Sequence, residues 1–144
     1  MTPLKLVALD DTDLAIVSAH CQDAVCKVGD LEWTPARKQF LVQLNRFAWE
    51  ASSGWFRQHN ERRRSALLFD RVLSVRTTGI DREKPEEVLE LLALRWEPGD
   101  VPSGMVELVF AGKATIRLSV ECIETSLSDL GGAWEAAARP MHQV

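Results

Sequence analysis

The sequence has no apolar run of spanning length, no glycine-rich phosphate loop and no cysteine pattern that would staple a secreted domain. Each absence removes a class of protein. A membrane-crossing helix needs about 20 consecutive apolar residues, and nothing here approaches that. The apolar part of the N-terminus is too short for a signal-peptide core and runs straight into Asp10 and Asp11. The expectation is therefore no membrane insertion, no export and a cytoplasmic location. Cys21, Cys26 and Cys122 are odd in number and lack tight pairing, which argues against a disulfide framework and for free, buried thiols in a reducing compartment.

Catalytic and cofactor motifs are missing as well. There is no Gly-x-Gly-x-x-Gly, and Gly112-Lys113 is followed by Ala114 rather than by serine or threonine. No Gly-x-Ser-x-Gly occurs, and His20, His59 and His142 fall in a helix, a loop and a tail, none beside a residue that would orient it as a base. His20, Cys21 and Cys26 lie close in sequence, but adjacent helical residues point about 100° apart and no second pair at zinc spacing exists. No metal and no cofactor is implied.

What is present is ordinary globular material. The chain has 144 residues, 46% hydrophobic and 26% charged, enough to bury a real core as one domain, residues 1–144. The net charge of −4 works against nucleic acid and acidic membranes. That charge is uneven. Between Arg37 and Arg76 stand nine basic residues against three acids, Glu50, Glu61 and Asp70, whereas the rest of the chain holds eight basic and eighteen acidic residues. Such asymmetry marks an anion-binding face, unless the strands pair the two populations across the fold.

Periodicity predicts a strand at Leu4–Leu9, then a helix over residues 13–23, with Asp10, Asp11 and Thr12 offering caps and Leu14, Val17, Cys21 and Ala24 forming its apolar stripe. The period then falls to two. Val25–Val28 reads as a strand, Gly29-Asp30 as a turn, Leu31 and Trp33 as extended, and Pro35–Lys38 as a second turn. Phe40, Val42 and Leu44 alternate with polar residues in a half-buried strand that runs toward Trp49. Residues 51–61 read as an exposed loop, Ser65–Arg76 as one strand and residues 80–87 as a charged connection. Strand and helix compete over Val88–Trp96, and Pro98-Gly99 together with the neighbouring strands favours strand. Met105–Phe110 and Ala114–Glu121, flanking Ala111-Gly112-Lys113, form the clearest hairpin. Cys122–Leu130 extends that strand or opens a short helix. The expected class is α+β: a mainly antiparallel sheet of about six or seven strands, arranged as a two-sheet sandwich or small open barrel, with an N-terminal helix and room for a short C-terminal one.

One group of residues has the composition of a ligand contact. Arg57, Arg62, Arg63 and Arg64 lie near Trp55, Phe56 and His59, and Arg46 and Arg71 join the same segment. Guanidinium forks hold phosphate or carboxylate in two parallel bonds, and aromatic rings stack on flat ligands. The plainer reading is a solvated or salt-bridged strand edge, because alternate strand residues face opposite sides and edge charges protect against aggregation.

Several longer stretches carry a family likeness: Leu-Asn-Arg-Phe-Ala-Trp-Glu at 44–50, Arg-Arg-Arg-Ser-Ala-Leu-Leu-Phe-Asp-Arg-Val-Leu-Ser-Val at 62–75, Leu-Val-Phe-Ala-Gly at 108–112 and Val-Glu-Cys-Ile-Glu at 120–124. With Gln22–Val25 and the tail from Trp134 to His142, the chain resembles the alphaproteobacterial domain-of-unknown-function family 2948 from Leu4 to His142. The resemblance implies a bacterial cytoplasmic protein and brings no activity, cofactor or catalytic residue. Three functions stay open. The leading one is a non-enzymatic binding domain that contacts an anionic ligand or protein partner through the basic segment Arg46–Arg71, with Arg46, Trp55, Arg62, Arg63, Arg64 and Arg71 as its contacts and nucleic acid disfavoured. The others are a small enzyme acting on an anionic metabolite, with Asp70 or Glu50 as base, and an assembly subunit covered by a partner or a second copy.

Overall fold

The computed structural model describes residues 3–47 and 62–131. The loop at 51–61 and the end of the strand expected to reach Trp49 lie outside the described residues, whereas the segment Cys122–Leu130, where a short C-terminal helix had room, is described and holds a strand, Thr125–Asp129.

Alternation decides most of the fold. Over β4 (Gln39–Phe47) every second side chain, from Phe40 to Arg46, is buried. This is the signature of a strand with one face on the core. β5 (Arg62–Phe69) repeats the pattern through Ser65, Leu67 and Phe69 and pairs with β4 along its whole length, from Phe40 opposite Phe69 to Phe47 opposite Arg62. The remaining strands are β1 (Lys5–Ala8), β2 (Ala24–Lys27), β3 (Leu31–Thr34), β6 (Val72–Thr78), β7 (Val88–Pro98), β8 (Gly104–Phe110), β9 (Thr115–Val120) and β10 (Thr125–Asp129). All pairings are antiparallel, in the order β1-β10-β5-β4-β2-β7-β8-β9-β6, with β3 pairing β4 beside β2. The expected mainly antiparallel α+β class is the one observed, as a single open sheet that does not close into a barrel.

Among the described residues there are ten strands, more than expected. The run Ser65–Arg76 is two strands, because Arg71 adopts φ 63° and turns the chain at Asp70-Arg71. The second half thereby leaves β4 for β9 at the far end of the sheet. Cys122–Leu130 contains β10, which inserts between β1 and β5. Val88–Trp96 is strand, as favoured. Its continuous apolar look has a physical cause: a bulge between Leu91 and Ala93 shifts the phase, so the buried set passes from Leu89 and Leu91 to Leu94 while Leu92 turns outward. The 105–121 hairpin is present, with Val109 opposite Thr115.

The helix α1 (Asp11–Cys21) starts two residues earlier than the apolar stripe indicated, because the Asp10 side chain caps it by accepting the Asp13 amide. It buries Leu14, Val17 and Cys21 and lies against β7. The Ser18 hydroxyl accepts the Leu94 amide at 2.9 Å, two residues past the bulge. The core holds Phe40, Val42, Leu44, Leu67, Phe69, Leu108, Phe110, Ile116, Leu118 and Leu127 together with Leu14 and Val17 of the helix.

The sheet ends in free edges. β6 is the last strand of the order, and β3 is paired only with β4. Two sets of backbone bonds tie the segments at these edges to each other at either end. Val72 donates to the Lys38 carbonyl at 2.8 Å, at the start of β6. At the other end, the connection after β6 is tied to the turn Val28–Asp30 by Gly29 donating to the Pro85 carbonyl and Val28 to the Glu87 carbonyl, both at 2.9 Å. Gly79 makes the bend into that connection with φ +74°, where a Cβ would stand 3.1 Å from the Lys113 carbonyl oxygen. A left-handed backbone in so tight a place suits glycine.

Candidate functional site

The pleat separates the arginines that the sequence groups together. Arg46 and Arg63 are cross-strand partners on the core side of β4 and β5, whereas Arg62 and Arg64 stand opposite Phe47 and Asn45 on the other side. Arg46 is fully buried and so is its partner Asp129. Nε donates to Oδ1 and Nη2 to Oδ2 of Asp129, each at 2.9 Å, and Nη1 donates to the Phe47 carbonyl at 3.0 Å. The carboxylate also accepts the Ser65 hydroxyl at 2.7 Å and the Leu4 amide at 2.8 Å. Burial works against charge on Asp129. The bonds from Arg46, Leu4 and Ser65 outweigh it and hold the carboxyl below its usual range. This fork ties β4, β5, β10 and the residue before β1 together, and it offers no ligand a free guanidinium.

The other basic groups are engaged as well. Arg62 sits over the Phe47 ring, 3.9 Å from its centroid, and donates to the Asn45 carbonyl at 3.2 Å. Arg64 pairs with Asp30 at 3.4 Å and donates to the Gln43 side-chain amide oxygen, Oε1, at the same distance. Arg71, at the β5–β6 turn, holds Glu124 at 3.1 Å and Glu121 at 3.7 Å. Arg63 is half-buried on β5. Trp55 and Glu50 lie outside the described residues. Asp70, the other candidate base, accepts a bond from Gln39 at 2.8 Å. The five described arginines singled out, Arg46, Arg62, Arg63, Arg64 and Arg71, therefore do not gather around one open patch. Cross-strand and cross-element pairing, the plainer reading of the charge asymmetry, accounts for Arg46, Arg64 and Arg71.

The thiols are closed to chemistry at two of three positions. Burial pushes Cys21 up to about 12, and burial with the Asp30 charge does the same to Cys26. His20 donates Nδ1–H to the Ile16 carbonyl at 2.9 Å, since a carbonyl can only accept. Among the described residues no three of His, Cys, Asp and Glu gather as a metal site.

A concave site forms instead at the unclosed edge of the sheet. A cavity of about 160 Å³ opens between β3, the start of β4, and β6. Val28, Leu31, Trp33, Phe40, Val75 and Ile80 make its apolar wall, and Thr77 and Arg82 its polar rim. Val28 and Phe40 belong to the core, and Leu31, Trp33, Val75 and Ile80 pack against it while remaining partly open. Arg82 is exposed and makes no hydrogen bond or ion pair with a described residue. The site thus joins an apolar hollow to one available guanidinium.

Sequence reasoning missed this site for a clear reason. Its walls come from β3 and β6, which are far apart in the chain, and Ile80 and Arg82 sit in a stretch that reads as a solvated charged connection. A lone isoleucine straight after Gly79 was the one local signal.

Among the described residues, the fold and site define an α+β architecture with one helix on an open antiparallel sheet and an apolar cavity between β3 and β6. The chain belongs to the family described as Protein of unknown function (DUF2948), whose model matches residues 4–142. No curated protein and no solved structure matches it.

Proposed function

We propose that the chain is a non-enzymatic binding domain for an anionic ligand, taken up in the cavity between β3 and β6 beside Arg82. The observation that carries this reading is the conjunction of an apolar hollow with a guanidinium that has no carboxylate partner among the described residues. Elsewhere in the described fold, Arg46, Arg62, Arg64 and Arg71 are spent internally on Asp129, Asp30, Glu121 and Glu124 or on the Phe47 ring. Unmet apolar surface with a few polar groups at its rim is the usual form of a small-molecule site.

The test is thermal stabilisation of the full chain by small organic anions, with tryptophan emission recorded in parallel. A ligand that binds only the folded state raises stability by about 2.7 kcal/mol at a hundred times its dissociation constant. Stabilisation should fall on adding salt, vanish in Arg82→Gln and persist in the Arg62→Gln/Arg64→Gln variant. Loss in the latter with retention in the former would move the anion to the basic strand and defeat the proposal.

A further inference from the structure

We infer that the ligand of this cavity is a monocarboxylate whose apolar body has the size of a single ring. The inference rests on the reading just given and narrows it by volume, lining and charge.

Volume limits the body. About 160 Å³ is close to the roughly 150 Å³ apolar cavity that takes up benzene, and below the roughly 300–1,000 Å³ of pockets for drug-sized ligands. A ring or a short branched chain fits, and a fused ring system or a long acyl chain does not.

Lining limits its polarity. Six of the eight wall residues are apolar, and Thr77 and Arg82 are both exposed. Apart from the Trp33 indole N–H, no side chain of the apolar wall can pair with a hydroxyl or an amide on the ligand body, so a body carrying more than one such group would lose water without compensation. Trp33 and Phe40 present aromatic surface to the hollow, which favours a flat, unsaturated body through ring–ring contact.

Charge limits the head group. One guanidinium fork matches one carboxylate in two parallel bonds. Arg82 stands between Asp81 and Glu83, both exposed, with the Asp81 carboxylate accepting the Glu83 amide at 3.0 Å. A second negative charge on the ligand would meet these acids within a Debye length of about 8 Å at physiological salt. A dianionic phosphate is disfavoured, and a carboxylate is not.

The experiment compares acetate, benzoate, phenylacetate, 2-naphthoate, benzamide, phenyl phosphate and a tripeptide ending in phenylalanine, by calorimetry and by backbone amide NMR on the full chain. Benzoate and phenylacetate should bind best and shift the amides of Leu31, Trp33, Val75 and Ile80. Acetate, lacking the body, should bind about 10- to 100-fold more weakly, and benzamide, lacking the charge, by a similar factor. Equal binding of acetate and benzoate, or tighter binding of 2-naphthoate or phenyl phosphate, overturns the ligand class and leaves an anion site standing. Tighter binding of the tripeptide assigns the cavity to the C-terminus of a partner chain and overturns the small-molecule reading. Absence of binding by every anion, or undiminished binding in Arg82→Gln, removes both this inference and the anion site beneath it.

Discussion

Replacing Asp129 by alanine removes the carboxylate from a site with no access to water. Arg46 is completely buried, and the side chain of Asp129 is 1% exposed. The guanidinium keeps its bond to the Phe47 carbonyl but loses both fork bonds, and the Ser65 hydroxyl and the Leu4 amide lose their acceptor. Breaking one side of a buried ion pair costs about 3–5 kcal/mol, since the surviving charge stays buried. For a chain of this length a shift of about 3 °C per kcal/mol applies, so the melting temperature should fall by roughly 10–15 °C. Chemical denaturation followed by circular dichroism gives the free energy, and calorimetry gives the melting temperature. Arg46→Met alone should cost less than Asp129→Ala, because it leaves a carboxylate that Ser65 and Leu4 still serve. The combined Arg46→Met/Asp129→Leu/Ser65→Ala variant should recover most of the loss, as apolar replacements of buried pairs often do. A cost below about 1 kcal/mol for Asp129→Ala, the range of exposed pairs, would refute the account. So would strictly additive effects of the Arg46 and Asp129 changes in a double-mutant cycle.

The same carboxylate sets an acid limit. Its pKa in the fold is lowered, so its contribution is present above the unfolded value of about 3.9 and is lost as pH falls through the folded value; acid titration of wild type against Asp129→Asn should show a shallower loss below pH ~4 in the variant. A thiol reagent at pH 8 should label Cys122 in the native protein and reach Cys21 and Cys26, both held near 12 by burial, only after unfolding. Gly104→Ala should destabilise by about 1–3 kcal/mol in denaturant melts, because the new methyl would overlap the Trp96 ring and stand 2.7 Å from the Glu97 carbonyl oxygen. Gly79→Ala should cost about 1–2 kcal/mol for its positive φ and also weaken ligand uptake, since the bend at Gly79 carries Ile80 and Arg82 to the cavity.

Arg46 shows why local pattern runs out. In sequence it is one more member of a basic segment, and its place at an alternating, otherwise apolar position of β4 is the only hint of burial. Its partner lies 83 positions away, in a segment that reads equally as strand or short helix. The bulge in β7 is hidden for a related reason: an inserted residue makes both faces of the strand look apolar, so period alone cannot separate it from a buried helix. The charge asymmetry was real in composition and misleading in space, because the fold brings the turn holding Asp30 to Arg64 on β5, and the turn at Arg71 meets the acids that follow β9.

By itself the amino-acid order determined the elements: the period-two alternation of β4, β5, β8 and β9, the capped helix, the proline and glycine turns, and hence an antiparallel α+β fold. These properties are local, set by which side chains share a face over a few residues. Only the tertiary structure decided which edges stay unpaired, that β6 leaves β5 for β9, and that Trp33, Val75, Ile80 and Arg82 surround one hollow. Those outcomes depend on long-range strand order, which the pairing of distant segments around a common core selects and no window of neighbouring residues encodes.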